Sequence, residues 1–412
     1  MDLHDVDLTD PDAFRTERHH EMFAVLRKED PVHWQPETDG GTGFWAVTRH
    51  EDIVAVNRDT ENFSSGLKGF TLQDPVADAL TSGMGELLPG MDAPRHTRLR
   101  RIVNKGFTPR MLGLLEQHLE FKARTIVDNV IATGHADFVD EIASELPLQA
   151  IAELMGVPQE DRRKLFEWSN RLIGFDDPEF QGSRDAGFEA AAEMYVYSDG
   201  LRHEREQEPR DDIVTKLINA EIEGEHLSDN EFAMFFLLLA VAGNETTRNA
   251  TSHGMRALIE NPDEFEALRA DPSKERMERA VEEILRWASP VLYFRRTATT
   301  DFELNGTLIK GGDKVAMWYV SGNRDEDVFD DPTRFDTNRW PNEQIAFGGG
   351  GAHFCLGANL ARMELRLIFT EIVTRLGSMR LDGDVTMLRS NFIGGIKRMP
   401  VKWEPGTVAA SA

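Results

Sequence analysis

Phe232 to Ala242 reads FAMFFLLLAVA, eleven apolar residues without a break. Just ahead of it, Ser228 and Glu231 stand at the spacing of a capping box, which starts a helix. A helix that is apolar all round must be buried all round. The run is shorter than the ~20 residues a membrane-spanning helix needs. Its expected place is therefore the centre of a large, mainly α-helical core. With 412 residues, 40% of them hydrophobic, the chain can wrap such a helix and still enclose a cofactor.

The rest of the pattern agrees with a mainly α fold carrying small β-sheets. Phe44–Val56 reads as a strand turning into a helix. Ser64 to Gly90 holds five Gly and two Pro and reads as a long loop. Arg110–Thr133, Pro158–Ile173 and Asp185–Gln207 have helical spacing. After Pro290 come short β-like pieces separated by Asn305-Gly306 and Gly311-Gly312. A last helix is expected from Ala358 to Leu376, ahead of Gly377. No linker or repeat interrupts the chain, so residues 1–412 are expected to form one domain.

The net charge of −26 argues against nucleic acid as a partner, since phosphate repels an acidic surface. A single cysteine rules out an internal disulfide and fits a reducing compartment. The N-terminal residues lack the basic-then-apolar pattern of a secretory signal, and no stretch is a membrane anchor. A cytoplasmic monomer is the expectation.

That one cysteine sits in Phe347-GGGGAHF-Cys355-L-Gly357, immediately before the last helix. Four glycines let backbone pass close to something flat or bulky. A helix N-terminus favours a thiolate, and a thiolate binds iron and other soft metals. One cysteine cannot by itself build a zinc or iron–sulfur site. On the residues alone, a single-thiolate haem and a catalytic nucleophile both stay open, beside plain core packing. Directly after the apolar run comes Ala242-Gly243-Asn244-Glu245-Thr246-Thr247. An acid and two hydroxyls in a buried helix are costly unless partnered; the plainer alternative is a surface turn beginning at Gly243. Glu283 and Arg286 share a helix face that points away from the stripe Met277, Val281, Ile284, Leu285 and Ala288, as a solvated ion pair would.

Phe347 to Gly357 resembles the haem-binding signature of the cytochrome P450 family. The aromatic stands eight residues before the cysteine, one glycine more than the family's usual form. That variant is similar to the actinobacterial branch that oxidises sterol side chains and methyl-branched lipids, as are AGNETTRNATSHG and FIGGIKRMPVKW. The resemblance implies the P450 fold, haem b as cofactor, Cys355 as axial thiolate and haem contacts from Ala242, Gly243, Phe347 and Gly357. His96, Arg100, Arg296 and His353 would meet the propionates. Glu245 and Thr246 would be the acid–alcohol pair that delivers protons for O–O cleavage, with Gly243 leaving room for oxygen. Glu283, Arg286 and Arg339 would form a buried trio holding the cysteine loop.

By the same resemblance Leu87, Leu238, Val291, Phe294 and Phe392 line a pocket for an apolar small molecule. The implied reaction is insertion of one O2 atom into a C–H bond, first of all terminal hydroxylation of an isoprenoid, branched fatty acid or sterol side chain. Hydroxylation of a compact terpenoid or steroid ring is the alternative. A peroxide-driven haem enzyme and a non-catalytic haem sensor are the other classes weighed. Electrons would come from NAD(P)H through a ferredoxin and ferredoxin reductase. Between Ala93 and Leu115 there is no acid, while Arg95, Arg98, Arg100, Arg101, Lys105 and Arg110 fall there. In so acidic a chain this suits docking of an acidic electron donor.

Overall fold

The computed structural model describes residues 1–37, 41–74, 87–104, 109–180, 185–221 and 224–407. Two short helices, α1 (Pro11–Arg15) and α2 (His19–Glu29), lead into β1 (Val32–Gln35), β2 (Phe44–Val47), α3 (His50–Arg58) and β3 (Phe63–Ser64). The helical body follows: α4 (Arg95–Asn104), α5 (Pro109–Val130), α6 (Glu145–Met155), α7 (Arg162–Ile173), α8 (Ala186–Gln207), α9 (Ile213–Ile218), α10 (Asp229–Glu260), α11 (Pro262–Ala270) and α12 (Lys274–Ala288). Then come β4 (Tyr293–Ala298), β5 (Lys314–Trp318), α13 (Tyr319–Gly322) and α14 (Ala358–Arg375). Most of the loop expected over 64–90 lies outside the described residues.

The apolar run lies inside α10, a helix of 32 residues, about 48 Å long at 1.5 Å per residue. Ser228 caps it as the spacing predicts: its hydroxyl accepts from the Glu231 N–H at 3.1 Å, and the Glu231 carboxylate accepts from the Ser228 N–H at 3.0 Å. Helices α6, α7, α8, α12 and α14 pack around α10. Burial is not complete on every side, however. Leu238, Leu239, Ala242 and Gly243 keep accessible surface, because the helix opens there onto an internal cavity.

The main sheet has the order β1-β2-β5-β4-β3, with β2 and β5 parallel and the other pairs antiparallel. Side chains alternate across a strand. Phe294 and Arg296 therefore share the cavity face of β4, while Arg295 turns away to Asp74 at 2.7 Å.

On α12 the spacing argument placed Glu283 and Arg286 on a solvated face. In the fold both are fully buried, at 0% exposure, because the segment 323–342 covers that side. Arg286 donates to Glu283 at 2.7 and 2.8 Å and to the carbonyls of Asn323, Pro332 and Arg334. Glu283 also accepts from Arg339 Nε at 3.1 Å, Asn342 and the Asp336 N–H. Every lone pair and proton of the buried pair is thus occupied, which makes its burial tolerable. Helix periodicity sees only the first covering layer and cannot register a second one supplied by a distant irregular segment.

Candidate active site

The cysteine loop is built by three elements. The Asn323 side chain accepts from the Ile345 N–H at 2.7 Å, which fixes where the loop begins. The Cys355 N–H donates to the Phe347 carbonyl at 3.0 Å, closing the loop on itself. Helix α3 clamps its outer side, with Asn57 Nδ2 on the Gly350 carbonyl at 2.6 Å and Arg58 Nε on that of Gly349 at 2.9 Å. The glycines serve this clamp. A Cβ on Gly349 would stand 2.9 Å from Val54 Cα, and Gly350 has φ +92°, which L side chains rarely adopt. The flat object that Gly349 to Gly351 approach is α3; only Gly348 of the four faces the cavity.

The cavity holds about 1450 Å³ of atom-free space, its mouth included. Cys355, Leu356, Gly357, Leu360 and Leu365 form one wall, and α10 forms the facing wall with Phe235, Leu239, Ala242, Thr246 and Ala250. These α10 positions recur at three- and four-residue spacing, so they share one helix face. The Cys355 residue has accessible surface, yet its thiol is enclosed by protein, because that surface faces the cavity and not bulk water. Burial pushes the thiol pKa up; the N–H groups of Gly357 and Ala358 at the start of α14, and the guanidiniums of Arg100 and Arg362, pull it back.

Four cationic or imidazole groups gather at one edge. Arg296 is 2% exposed, and His96 and His353 have ring centroids 4.2 Å apart. Arg100 donates to the Phe354 carbonyl, and Arg296 Nη1 to that of Arg295 at 3.0 Å. Among the described residues neither arginine has a carboxylate partner, and the buried atoms His96 Nε2 and Arg296 Nε have no hydrogen-bond partner at all. Burial lowers the pKa of both arginines, and with the neighbouring arginines it takes His353 down to about 3. Buried donors left open around an internal cavity call for an anionic group with several acceptor oxygens. Two carboxylates on a flat apolar ring, with a thiol below and an apolar wall above, fit this donor set. The residues present therefore suit a haem, with Cys355 as the atom that could hold its iron.

Thr246 lines the cavity, its hydroxyl donating to the Ala242 carbonyl at 2.6 Å. Glu245 does not. Its carboxylate is 1% exposed, sits behind α10 and is paired with Arg248. Arg248 in turn donates to Asn170 of α7 at 3.1 Å. Burial pushes the Glu245 carboxyl up, against the pull of Arg248. Gly243 faces Ile151 of α6, whose Cδ1 would stand 2.3 Å from a Cβ there. A larger residue here would have to displace the end of the Ile151 side chain, whatever room the glycine also leaves for oxygen.

Of the five expected pocket residues, Leu238, Val291 and Phe294 line the cavity. Leu87 does not; its neighbours Leu88 and Pro89 do, since the short turn Leu88–Gly90 rotates them inward. Phe392 also misses it, packing behind against Tyr293 and Phe294 at 5.3 and 5.9 Å between ring centroids. Sequence reasoning missed Tyr319, Asn57 and Glu364. Glu364 is 1% exposed, one carboxylate oxygen lacks a partner, and burial raises its pKa well above the usual range. The helical period of α14 could have flagged it as an acid on an inward face. In the basic stretch, Arg98 is tied to Glu231 and Glu225 of the body. The Lys105 and Arg110 side chains lie outside the described residues.

The model of the family described as "Cytochrome P450" matches residues 148–383. The chain belongs to the cytochrome P450 family. The steroid C26-monooxygenase of Mycolicibacterium smegmatis is 47% identical to this P450 over 392 residues, 93% of this chain and 90% of that one. The methyl-branched lipid omega-hydroxylase of Mycobacterium bovis is 42% identical over 394 residues, 92% and 90%. A Mycobacterium marinum cytochrome P450 solved in complex with pseudoionone superposes with a TM-score of 0.89 at 41% identity, covering 95% of this chain and 97% of that one. Haem iron is the family's cofactor. No helix among the described residues is long and apolar enough to cross a membrane.

Proposed function

We propose that this P450 hydroxylates the terminal carbon of a methyl-branched apolar chain, such as an isoprenoid, a branched fatty acid or a sterol side chain. One observation carries the reading: a single cavity joins the only thiol, in the loop just before α14, to a wall of Phe235, Leu238, Leu239, Val291, Phe294 and Leu88. Such a wall binds apolar matter and offers few groups that would orient a polar one. The named activities of the two curated relatives support the same substrate class.

Haem b, bound without covalent attachment since thioether links would need further cysteines, supplies the activation of O2. Cys355 would hold its iron; His96, Arg100, Arg296 and His353 would pair its propionates; Phe347, Ala242, Gly243 and Gly357 would pack on it. The protein's own contribution to the chemistry lies on α10. Thr246 spends its proton on the Ala242 carbonyl and leaves its lone pairs to a water in the cavity. Glu245, once released from Arg248, would turn inward and hand protons to that water. Glu283, Arg286 and Arg339 keep the cysteine loop in register. Residues 1–412 act as one cytoplasmic, monomeric haem domain. Electrons arrive from a ferredoxin and its reductase, docking near the basic α4.

The test is a titration of the ferric protein followed by absorbance. A branched fatty acid, a linear isoprenoid alcohol, a sterol-3-one and a small cyclic terpene make up the panel. A low- to high-spin shift with the long branched molecules, and terminal alcohols as products, is the expected result. A shift confined to the compact ring overturns the proposal in favour of ring hydroxylation.

A further inference from the structure

A second cavity lies on the other side of α12 and shares no lining residue with the first. It offers about 40 Å³ to the centres of water-sized molecules, room for roughly three waters or one small ion. Glu17, His19, His20, His253, Trp287 and Arg324 are among its walls. His19 and Arg324 are only 6% and 8% exposed. Four buried nitrogens here lack any hydrogen-bond partner among the described residues: His19 Nδ1, His20 Nδ1, His253 Nε2 and Arg324 Nη1.

Arg324 is the decisive group. Its Nη2 donates to the Trp287 carbonyl at 3.0 Å, and its guanidinium stacks on the Trp287 ring at 4.9 Å. Among the described residues no carboxylate lies within ion-pair distance of it. Glu17 faces the same cavity but is taken by Arg256 through two bonds of 2.9 Å. Behind Arg324 stand Arg27 and Arg286, whose own charges are met by Glu326 and Glu283. A desolvated, unpaired cation is costly, and an adjoining polar cavity is where compensation can be placed. A metal ion does not fit: a guanidinium shares the space, and the histidine nitrogens do not converge as metal ligands.

We propose that this cavity binds one small monovalent anion of chloride's size between Arg324 and the histidines, and that the anion enters together with a proton. The second half follows from the rings. The backbone carbonyl of Ala13 attracts the ring N–H of His19, and that of Gly394 the ring N–H of His253. A neutral imidazole has one N–H, so the nitrogen each turns to the cavity is bare. It can donate to an anion only after the ring gains a proton. Without the anion, burial and the nearby arginines hold His19 at about 3 and His253 at about 4, with His20 also far down. A negative ion among them reverses that cost. Glu17, His19, His20, His253 and Arg324 are the charged and titratable groups that line the site; Arg27, Arg256, Glu283 and Arg286 stand behind them, and Glu260 pairs with Arg256. Bound anion thus becomes tighter as pH falls.

The test uses haem-loaded protein in sodium chloride against sodium gluconate, whose anion is too large for the cavity, at one matched ionic strength. Chloride should raise the unfolding midpoint by about 2 °C or more near pH 6, and by clearly less near pH 8. Arg324→Gln should abolish the increment. Equal midpoints in the two salts at both pH values, or an increment retained in the variant, overturn the proposal. Should that variant fail to fold, bromide-soaked crystals of the unaltered protein decide: an anomalous peak beside Arg324 Nη1 is expected, and water without anomalous signal refutes the site. None of these outcomes bears on the haem assignment.

Discussion

Glu245 and Thr246 are adjacent in sequence but about 100° apart around their helix, and the fold uses that angle. The hydroxyl faces the cavity and the carboxylate faces Arg248. The two positions should therefore fail differently. Thr246→Ala removes the group that holds a water, so NAD(P)H oxidation continues while product per NAD(P)H falls, by about fivefold or more, and peroxide appears; unchanged coupling would assign the role to Thr247. Cys355→Ala should abolish the red-shifted absorbance of the reduced CO complex, and a normal spectrum in that variant would defeat the ligand assignment. Both motifs were legible as strings. Which way each side chain points was not.

At the scale of elements, the cysteine loop depends on parts far away in sequence. Helix α3 supplies its clamp through Asn57 and Arg58, and α12 supplies the Glu283–Arg286 pair beneath the segment that carries Arg339 and Asn323. Glu283→Ala leaves Arg286 buried without its counter-charge. A loss of about 3–5 kcal/mol is expected, read as a lower denaturation midpoint and as release of haem ahead of global unfolding. A stability loss under about 1 kcal/mol would show that the carbonyls of Asn323, Pro332 and Arg334 suffice to hold Arg286.

For the whole molecule, acid should be more damaging than base. His19 and His253 have folded-state pKa values near 3 and near 4, and His20 is also depressed. The unfolded chain binds protons at these groups from about pH 6.5 downward, whereas the folded chain does not until much lower. Stability is then fully present above pH 6.5 and falls as pH drops toward 4, by at most about 1.4 kcal/mol per pH unit for each imidazole. Denaturation midpoints measured in a gluconate buffer should show this slope. A flat profile from pH 7 to about pH 5 would mean that these rings are already solvated or charged in the folded protein.

The sequence by itself determined the helix that runs through the centre, the cap that starts it, the family and the thiol. These rest on local spacing and on short contiguous motifs, where neighbours in the chain are neighbours in space. The tertiary structure alone decided that Glu283 and Arg286 are covered, that Glu245 is held off the cavity, and that the loop glycines meet α3. It alone decided that Leu88 replaces Leu87 on the cavity wall and that Phe392 stands behind Phe294. Apart from Glu245, whose partner Arg248 lies three residues on, each of these turns on a partner tens to hundreds of residues away, or on a rotation of one residue within a turn. Neither leaves a period in the sequence, because a side chain's surroundings are set by the element packed against it and not by its own element's pattern.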